Sequence, residues 1–356
     1  MIFSKYPNVI TIRLPSDDVK LTVIGDTHGQ FHDILQVFEL NGKPSPNNWY
    51  LFNGDMVDRG SWGLEIILTV FAYKLVYPDC VFVVRGNHET AYCSTCYGFL
   101  QECKAKYSKS IHSKILHVFS RIPLAAVILP KTVENPPVWG VDYDASGWIK
   151  EGGCPRDPCM YGYGYGIFVV HGGLFRNNRG DVGTIPELQA ISRTTKDPDT
   201  EMLLDVLWSD PQKDLGLNDN HMRGCATFFG PDCTRDFLER HGLHLVLRSH
   251  EGPDARAKRP SMTNDMMAGY SIDQEDEYSG QPLLITLFSA PDYPQGASAK
   301  GNTAAYIVFD GSKDDLAYEV KHFGRSPRRP EVKPYPAAVN DLTDLDRSRM
   351  HHDDED

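Results

Sequence analysis

Three stretches decide the fold: VKLTVIGDTHG (19–29), WYLFNGDMVDRG (49–60) and CVFVVRGNHE (80–89). Each is an apolar, β-branched run that breaks at a glycine, and each break is followed at once by Asp, Asn or His. Between them, QFHDILQVFEL (30–40) and SWGLEIILTVFAYKLV (61–76) carry apolar residues at three-and-four spacing, which predicts helices. This βαβαβ alternation predicts an α/β protein with a layered sheet core. Three later runs repeat the pattern of strand and polar corner: YGIFVVHGG (165–173), LHLVLRSHE (243–251) and LLITLFSAPDY (283–293). In α/β sheets ligands gather at the carboxyl ends of strands, which is where these corners fall.

Other segments lack that rhythm. Residues 129–166 are rich in Pro, Gly and aromatics without a period, and are expected to form a surface insertion. Residues 252–281 read as an irregular stretch between two strands, and the charged end, 341–356, as a disordered tail. The expected organisation is a single domain over 1–325, followed by a C-terminal extension over 326–356.

Composition narrows the partners. With 41% hydrophobic and 24% charged residues in 356, the chain has the mix of a soluble globular protein. The net charge of -12 (36 Lys+Arg against 48 Asp+Glu) disfavours a nucleic-acid partner, because the summed field repels phosphate backbones. A basic protein segment is a more comfortable partner. No apolar run approaches the ~20 residues of a membrane span, and the start carries no secretory pattern. Eight cysteines in a chain of this length do not make a disulfide scaffold, so a reducing compartment, cytoplasm or nucleus, is expected. The pairs Cys93/Cys96 and Cys154/Cys159 read as ordinary thiols rather than a zinc or redox site.

The chemistry rests on Asp26 and His28 in GDTHGQ, Asp55 and Asp58 in GDMVDRG, Asn87 and His88 in GNHE, His171 in HGG and His250 in RSHE. Carboxylate and imidazole donors without thiolate suit first-row ions such as Mn, Fe or Zn. An Asp shared by two ions can hold them ~3.5–4 Å apart, the spacing of two-metal hydrolytic sites. Taken singly, each corner has a bland reading: a capped turn for GDTHG, a loop for HGG, a satisfied core histidine for His250. Five such corners in one order, each after an apolar strand, argue for a joint site.

Together GDTHGQ, GDMVDRG, RGNHE, HGGLF, RSHE and SAPDY resemble the motif series of the PPP family of serine/threonine phosphatases over most of residues 20–325. Within that family the chain resembles both plant type 7 members and the type 5 catalytic domain through WSDP, FGPDCT and VKPYP, and the plant type more so through RSHEGPDAR, GYSIDQ and SAPDYPQ. The resemblance implies a calcineurin-like metallophosphoesterase fold, a layered β-sandwich flanked by helices. It also implies hydrolysis of phosphoserine and phosphothreonine on protein substrates by direct attack of a water bridging two metal ions. By motif, Asp26 and His28 would bind the first metal, Asp55 both, and Asn87, His171 and His250 the second. Arg59 and Arg223 would hold the phosphate, His88 would protonate the leaving oxygen, Asp58 would orient His88, and Tyr293 would line the pocket. The insertion is expected to dock a regulatory protein or gate the groove. One departure stands out: SAPDY replaces the usual SAPNY, and Asp292 is expected to add negative charge beside the phosphate pocket. Two rival readings are a metallophosphoesterase acting on nucleotides, which shares the GDxH, GD and GNH corners, and a catalytically weak scaffold of the same fold.

Overall fold

A computed structural model of the chain describes residues 2–131, 165–262, 264–294, 301–313 and 316–336. Two sheets carry the architecture. One has the strand order Val9–Arg13, Ala125–Leu129, Gly166–Val170, Leu243–Arg248, Pro282–Leu287, Tyr270–Glu275. The other runs Tyr318–Phe323, Ala304–Asp310, Lys20–Ile24, Asn48–Phe52, Val81–Val83. The three strands singled out first pair in parallel, Lys20 opposite Asn48 and Tyr50 opposite Val81, as crossover helices between them require. Those helices are Phe31–Asn41 and Gly63–Val76, close to the spans that the periodicity predicts.

Side-chain alternation explains why the two sheets stack. Leu21 and Val23, Leu51, Phe82, Ile167 and Val169, Leu245 and Leu247, and Ile285 and Leu287 belong to one buried cluster between the sheets. Their strand neighbours point the other way. Tyr50, Phe52, Val81 and Val83 meet the helices on one outer face, and Phe168, Val170 and Val246 meet the helices Glu201–Trp208 and Pro231–His241 on the other. Strands buried on both faces must be apolar at every position, hence runs such as AAVIL and GIFVV that are fully buried. The result is a layered sandwich of two sheets with helices outside, as the sequence implies.

One segment differs from expectation. The stretch 252–281 is not irregular throughout: Tyr270–Glu275 forms an edge strand antiparallel to Pro282–Leu287. Its YSIDQE pattern is half polar because it lies at the border of the sheet. The sheets also contain Val9–Arg13, Ala125–Leu129, Ala304–Asp310 and Tyr318–Phe323, none of which leads into the corners that line the site. Most of the predicted insertion, residues 132–164, and the tail from 337 onward lie outside the described residues, with Cys154 and Cys159 among them. Cys93 and Cys96 are both buried and are not joined in a disulfide. Among the described residues no helix is long and apolar enough to cross a membrane.

Leu247 lies wholly between the sheets, one residue before Arg248 and three before His250. Leu247→Ala is expected to cost about 2–5 kcal/mol of stability. Leu68→Ala, on the exposed face of a helix, should stay within about 0.5 kcal/mol. Urea denaturation of the two variants checks that contrast.

Candidate metal centre

The polar corners converge because every one follows a strand end on the same rim. Asp26 follows Lys20–Ile24, Asp55 follows Asn48–Phe52, and Asn87 follows Val81–Val83. From the other sheet, His171 follows Gly166–Val170, His250 follows Leu243–Arg248 and Tyr293 follows Pro282–Leu287. The backbone there is tightly bent. His28, Asp55, Asp58, Arg59, His250 and Asp292 all have positive φ, between 39° and 73°. Non-glycine residues adopt that conformation only when the surroundings enforce it, at a cost on the order of 1–3 kcal/mol each. The glycines at two corners have a steric reason. A Cβ on Gly86 would lie 2.3 Å from Asp55 Oδ1, and one on Gly54 would lie 2.6 Å from Gly86 Cα. Without those two glycines Asp55 and Asn87 could not approach each other.

The donor atoms meet around Asp55. His28 Nε2 lies 3.7 Å from Asp26 Oδ2 and 3.8 Å from Asp55 Oδ2. His171 Nε2 lies 3.3 Å from Asp55 Oδ1. The Asn87 side-chain oxygen faces His171 Nε2 at 2.9 Å and His250 Nδ1 at 3.0 Å, and the Asp55 oxygens at 3.1 and 3.2 Å. Ring tautomers are set from behind. His28 Nδ1 donates to Val57 O (3.1 Å) and His171 Nδ1 to Asn53 O (2.8 Å), which turns the Nε2 lone pairs toward the carboxylates.

These residues fit metal ions. Two groups, His28–Asp55–His88 and Asp55–His171–His250, each bring ligand atoms within 4.8 Å of one another, and Asp55 belongs to both. Asp26 Oδ2 and His250 Nε2 are buried with no hydrogen-bond partner. With His171 Nδ1 engaged by Asn53 O, the Nε2 lone pair of a neutral His171 and both Asp55 oxygens crowd around the Asn87 side-chain oxygen. Burial, and then the neighbouring Asp55, push the Asp26 carboxyl up to about 8. Burying two carboxylates side by side is unfavourable unless cations compensate them. Oxygen and nitrogen donors without thiolate suit hard or borderline first-row ions.

The other predicted residues surround this group. Asp26, His28, Asp55, Arg59, Asn87, His88, Arg223, His250 and Tyr293 line one pocket, with Asp58 and His171 directly behind it. Asp58 Oδ2 accepts from His88 Nδ1 at 2.6 Å, while its Oδ1 accepts from Phe99 N at 2.8 Å. Burial pushes His88 down to about 3 and the Asp58 carboxyl well above its usual range. The largest cause of both is the cost of charge in a dry site; Asp55 further raises Asp58, and Arg59, His171 and Arg223 further lower His88. The Arg59 guanidinium lies 4.3 Å over the Tyr97 ring, with its Nε buried and unpartnered, instead of pairing with a carboxylate. Arg223 is not a surface arginine: its Nε donates to Asp210 Oδ2 at 2.9 Å. Tyr293 stacks on His28 at 5.1 Å.

Several supporting residues carried no role in the sequence reading. Glu89, quoted only as the end of GNHE, accepts from the backbone N–H of Asp55 (2.8 Å), Met56 (2.8 Å) and Gly86 (2.9 Å). It thereby clamps the Asp55 corner to the Asn87 corner. Asn53 donates to Val170 O (2.9 Å) and Ser249 Oγ (3.0 Å), tying the two sheets together beside the site. Asp210, in WSDP, anchors both Arg223 and Arg248. The signal available was position: each is a polar residue at or just past the end of an apolar segment.

Residues 19–254 match the family model of calcineurin-like phosphoesterases. The chain is 36% identical to serine/threonine-protein phosphatase 7 of Arabidopsis thaliana, over 94% of this chain and 80% of that protein. It is 37% identical to human serine/threonine-protein phosphatase 5, over 97% of this chain but 56% of that protein, so it spans about half of that relative. A solved protein serine/threonine phosphatase from Saccharomyces cerevisiae, described as similar to human phosphatase PP5, superposes with a TM-score of 0.70 at 30% identity, covering 94% of this chain and 88% of that one.

The Glu89 clamp is testable apart from any activity. Glu89→Gln replaces one of two acceptor oxygens, of which Oε2 takes the N–H groups of Asp55 and Gly86 and Oε1 that of Met56, with a donor that cannot accept, and is expected to cost about 1–3 kcal/mol. A urea midpoint equal to that of the parent chain would remove Glu89 from the clamp.

Proposed function

We propose, from the premise that the chain belongs to the calcineurin-like phosphoesterase family and within it to the PPP serine/threonine phosphatases, that it hydrolyses phosphoserine and phosphothreonine monoesters on proteins. The observation that carries this reading is Asp55, shared between two buried donor groups beside two arginines and a carboxylate-held histidine. Asp26, His28 and Asp55 would hold one cation. Asp55, Asn87, His171 and His250 would hold the other. Manganese, iron or zinc fits this donor set. When bound, such ions polarise phosphoryl oxygens and lower the pKa of water from 15.7 toward about 7.

The chain's own residues then divide the remaining work. Arg59 and Arg223 offer planar, permanently charged forks that match phosphate geometry. Asp210 holds Arg223 by Nε, so the rest of its guanidinium is oriented before substrate arrives. His88 is the proton donor. With Asp58 engaging Nδ1, its transferable proton sits on Nε2, which stands 3.9 Å from Asp55 Oδ2 and faces the pocket. That placement argues for His88 as acid rather than as a ligand, although its ring nitrogen lies within reach of the first donor group. Burial first, and then the charges of Arg59, His171 and Arg223, hold His88 low, and an incoming phosphate dianion supplies negative charge that raises it. The Tyr293 ring, stacked on His28, forms part of the pocket wall.

With manganese supplied, the purified chain should release phosphate from a phosphothreonine peptide, and a chelator should stop it. A dinucleoside polyphosphate and a cyclic nucleotide should be poor substrates. His88→Asn should lower kcat about 10²–10⁴-fold with bound manganese unchanged, because a positioned acid contributes that much. Turnover of the nucleotides alone, or an inert chain carrying two manganese ions, would refute the proposal.

A further inference from the structure

Residues 324–336, beyond the last strand, lie back against the fold. Ser326 N–H donates to Asp33 Oδ1 at 2.6 Å, Ser61 Oγ donates to Lys333 O at 3.3 Å, and Tyr335 packs on Gly98. At the centre of this strap Arg329 is inserted with its side chain 2% exposed. Its Nη1 donates to Gln30 Oε1 (2.9 Å), Asp33 Oδ2 (2.8 Å) and Pro291 O (3.1 Å), and its Nη2 to Asp292 Oδ2 (2.6 Å).

Those partners belong to two different arms of the site. Gln30 and Asp33 follow His28 on the first corner, while Pro291 and Asp292 immediately precede Tyr293 on the last. His28 and Tyr293, at the tips of the two arms, stack with an interplanar angle of 19°. One guanidinium therefore fastens both arms just behind the rings that meet in the pocket. It also meets the negative charge of Asp292, with Arg325 Nη1 a further 3.6 Å from the same carboxylate. The sequence expectation that Asp292 burdens the phosphate pocket is thus corrected, because the charge is matched from the C-terminal strap.

We propose that Arg329 is a positioning residue for phosphate binding. It neutralises Asp292 and fixes the Tyr293 arm against the His28 arm. This inference rests on the phosphatase reading for its ligand. Removing Arg329 leaves a carboxylate next to Tyr293 that repels an incoming phosphate dianion, and leaves Asp33 buried without its cation. The first defect is electrostatic, and deleting the Asp292 charge should cure it. The second is a matter of stability, and that deletion should not cure it.

The test is calorimetric affinity for inorganic phosphate on the manganese-loaded chain, with trypsin cleavage after Arg325 and Arg328 as a readout independent of the pocket. Arg329→Met is expected to weaken phosphate binding about five- to tenfold, with kcat on a phosphopeptide within about twofold, and to speed cleavage of the strap. Adding Asp292→Asn should bring the phosphate affinity back within about twofold of the parent while cleavage stays fast. Arg329→Lys keeps a charge for Asp33 but cannot span both carboxylates, and should show a smaller loss that Asp292→Asn also reverses. It carries the test if the Met variant does not fold. Unchanged phosphate affinity in these variants, or a loss that Asp292→Asn does not reverse, overturns the assignment. A parent chain that binds phosphate but never turns over a phosphopeptide sinks the phosphatase reading instead.

Discussion

Asp26 and Asp55 are buried against one another where the two sheets meet, and the surrounding architecture answers to the cost of that placement. Two carboxylates out of water repel each other and lose hydration, which is why Asp26 is driven up to about 8. Hydrogen bonds offset only part of the cost: His250 N–H donates to Asp26 Oδ1 (3.1 Å) and His88 N–H to Asp55 Oδ1 (2.9 Å). Asp26 Oδ2 and Asp55 Oδ2 both face His28 Nε2, whose ring proton is engaged at Nδ1 by Val57 O, an arrangement that suits positive charge rather than a protein donor.

Such convergence requires each corner to deliver its ligand side chain onto the rim within one to four residues of its strand. That demand explains the left-handed backbone at His28, Asp55, Asp58 and Arg59, and the glycines against which they turn. It also explains why the clamps are made to backbone N–H groups. Glu89 takes three N–H groups from two corners, and so holds main-chain positions that no hydrophobic contact could fix to a fraction of an ångström. Strain and clamp belong together, because a bent corner persists only where its surroundings leave no alternative.

The corners were legible because they interrupt apolar runs: a glycine and then Asp, Asn or His after a β-branched strand is a local signal that survives without a partner. The motif residues carried the donor set, and the crossover helices followed from their own periodicity. What escaped has in common that its meaning depends on distant residues. Tyr270–Glu275 is half polar and resembles a loop until its pairing with Pro282–Leu287 is known. Asp292 looked like a burden on the pocket because its counter-charge lies in the C-terminal strap, 37 residues away. Arg329 sits among several arginines in RSPRRP, and nothing local distinguishes it from exposed Arg328 beside it.

Ion pairing on the opposite wall follows the same logic with a different purpose. Asp210, held well below the usual carboxylate range by Arg223, Arg259 and Arg248, anchors a buried network that continues through Arg248 to Glu251 and on to Arg256 and Arg259. Ion pairs at such depth add little net stability, because desolvation consumes most of the Coulomb gain. Their value here is geometric. A lone arginine at the edge of a pocket would sample many rotamers and lose that freedom on binding phosphate, whereas Arg223, already locked to Asp210 by Nε, has lost it during folding. The wall opposite Asp26 and Asp55 is therefore prepaid in entropy, and an anion entering between Arg59 and Arg223 meets donors that need not reorganise.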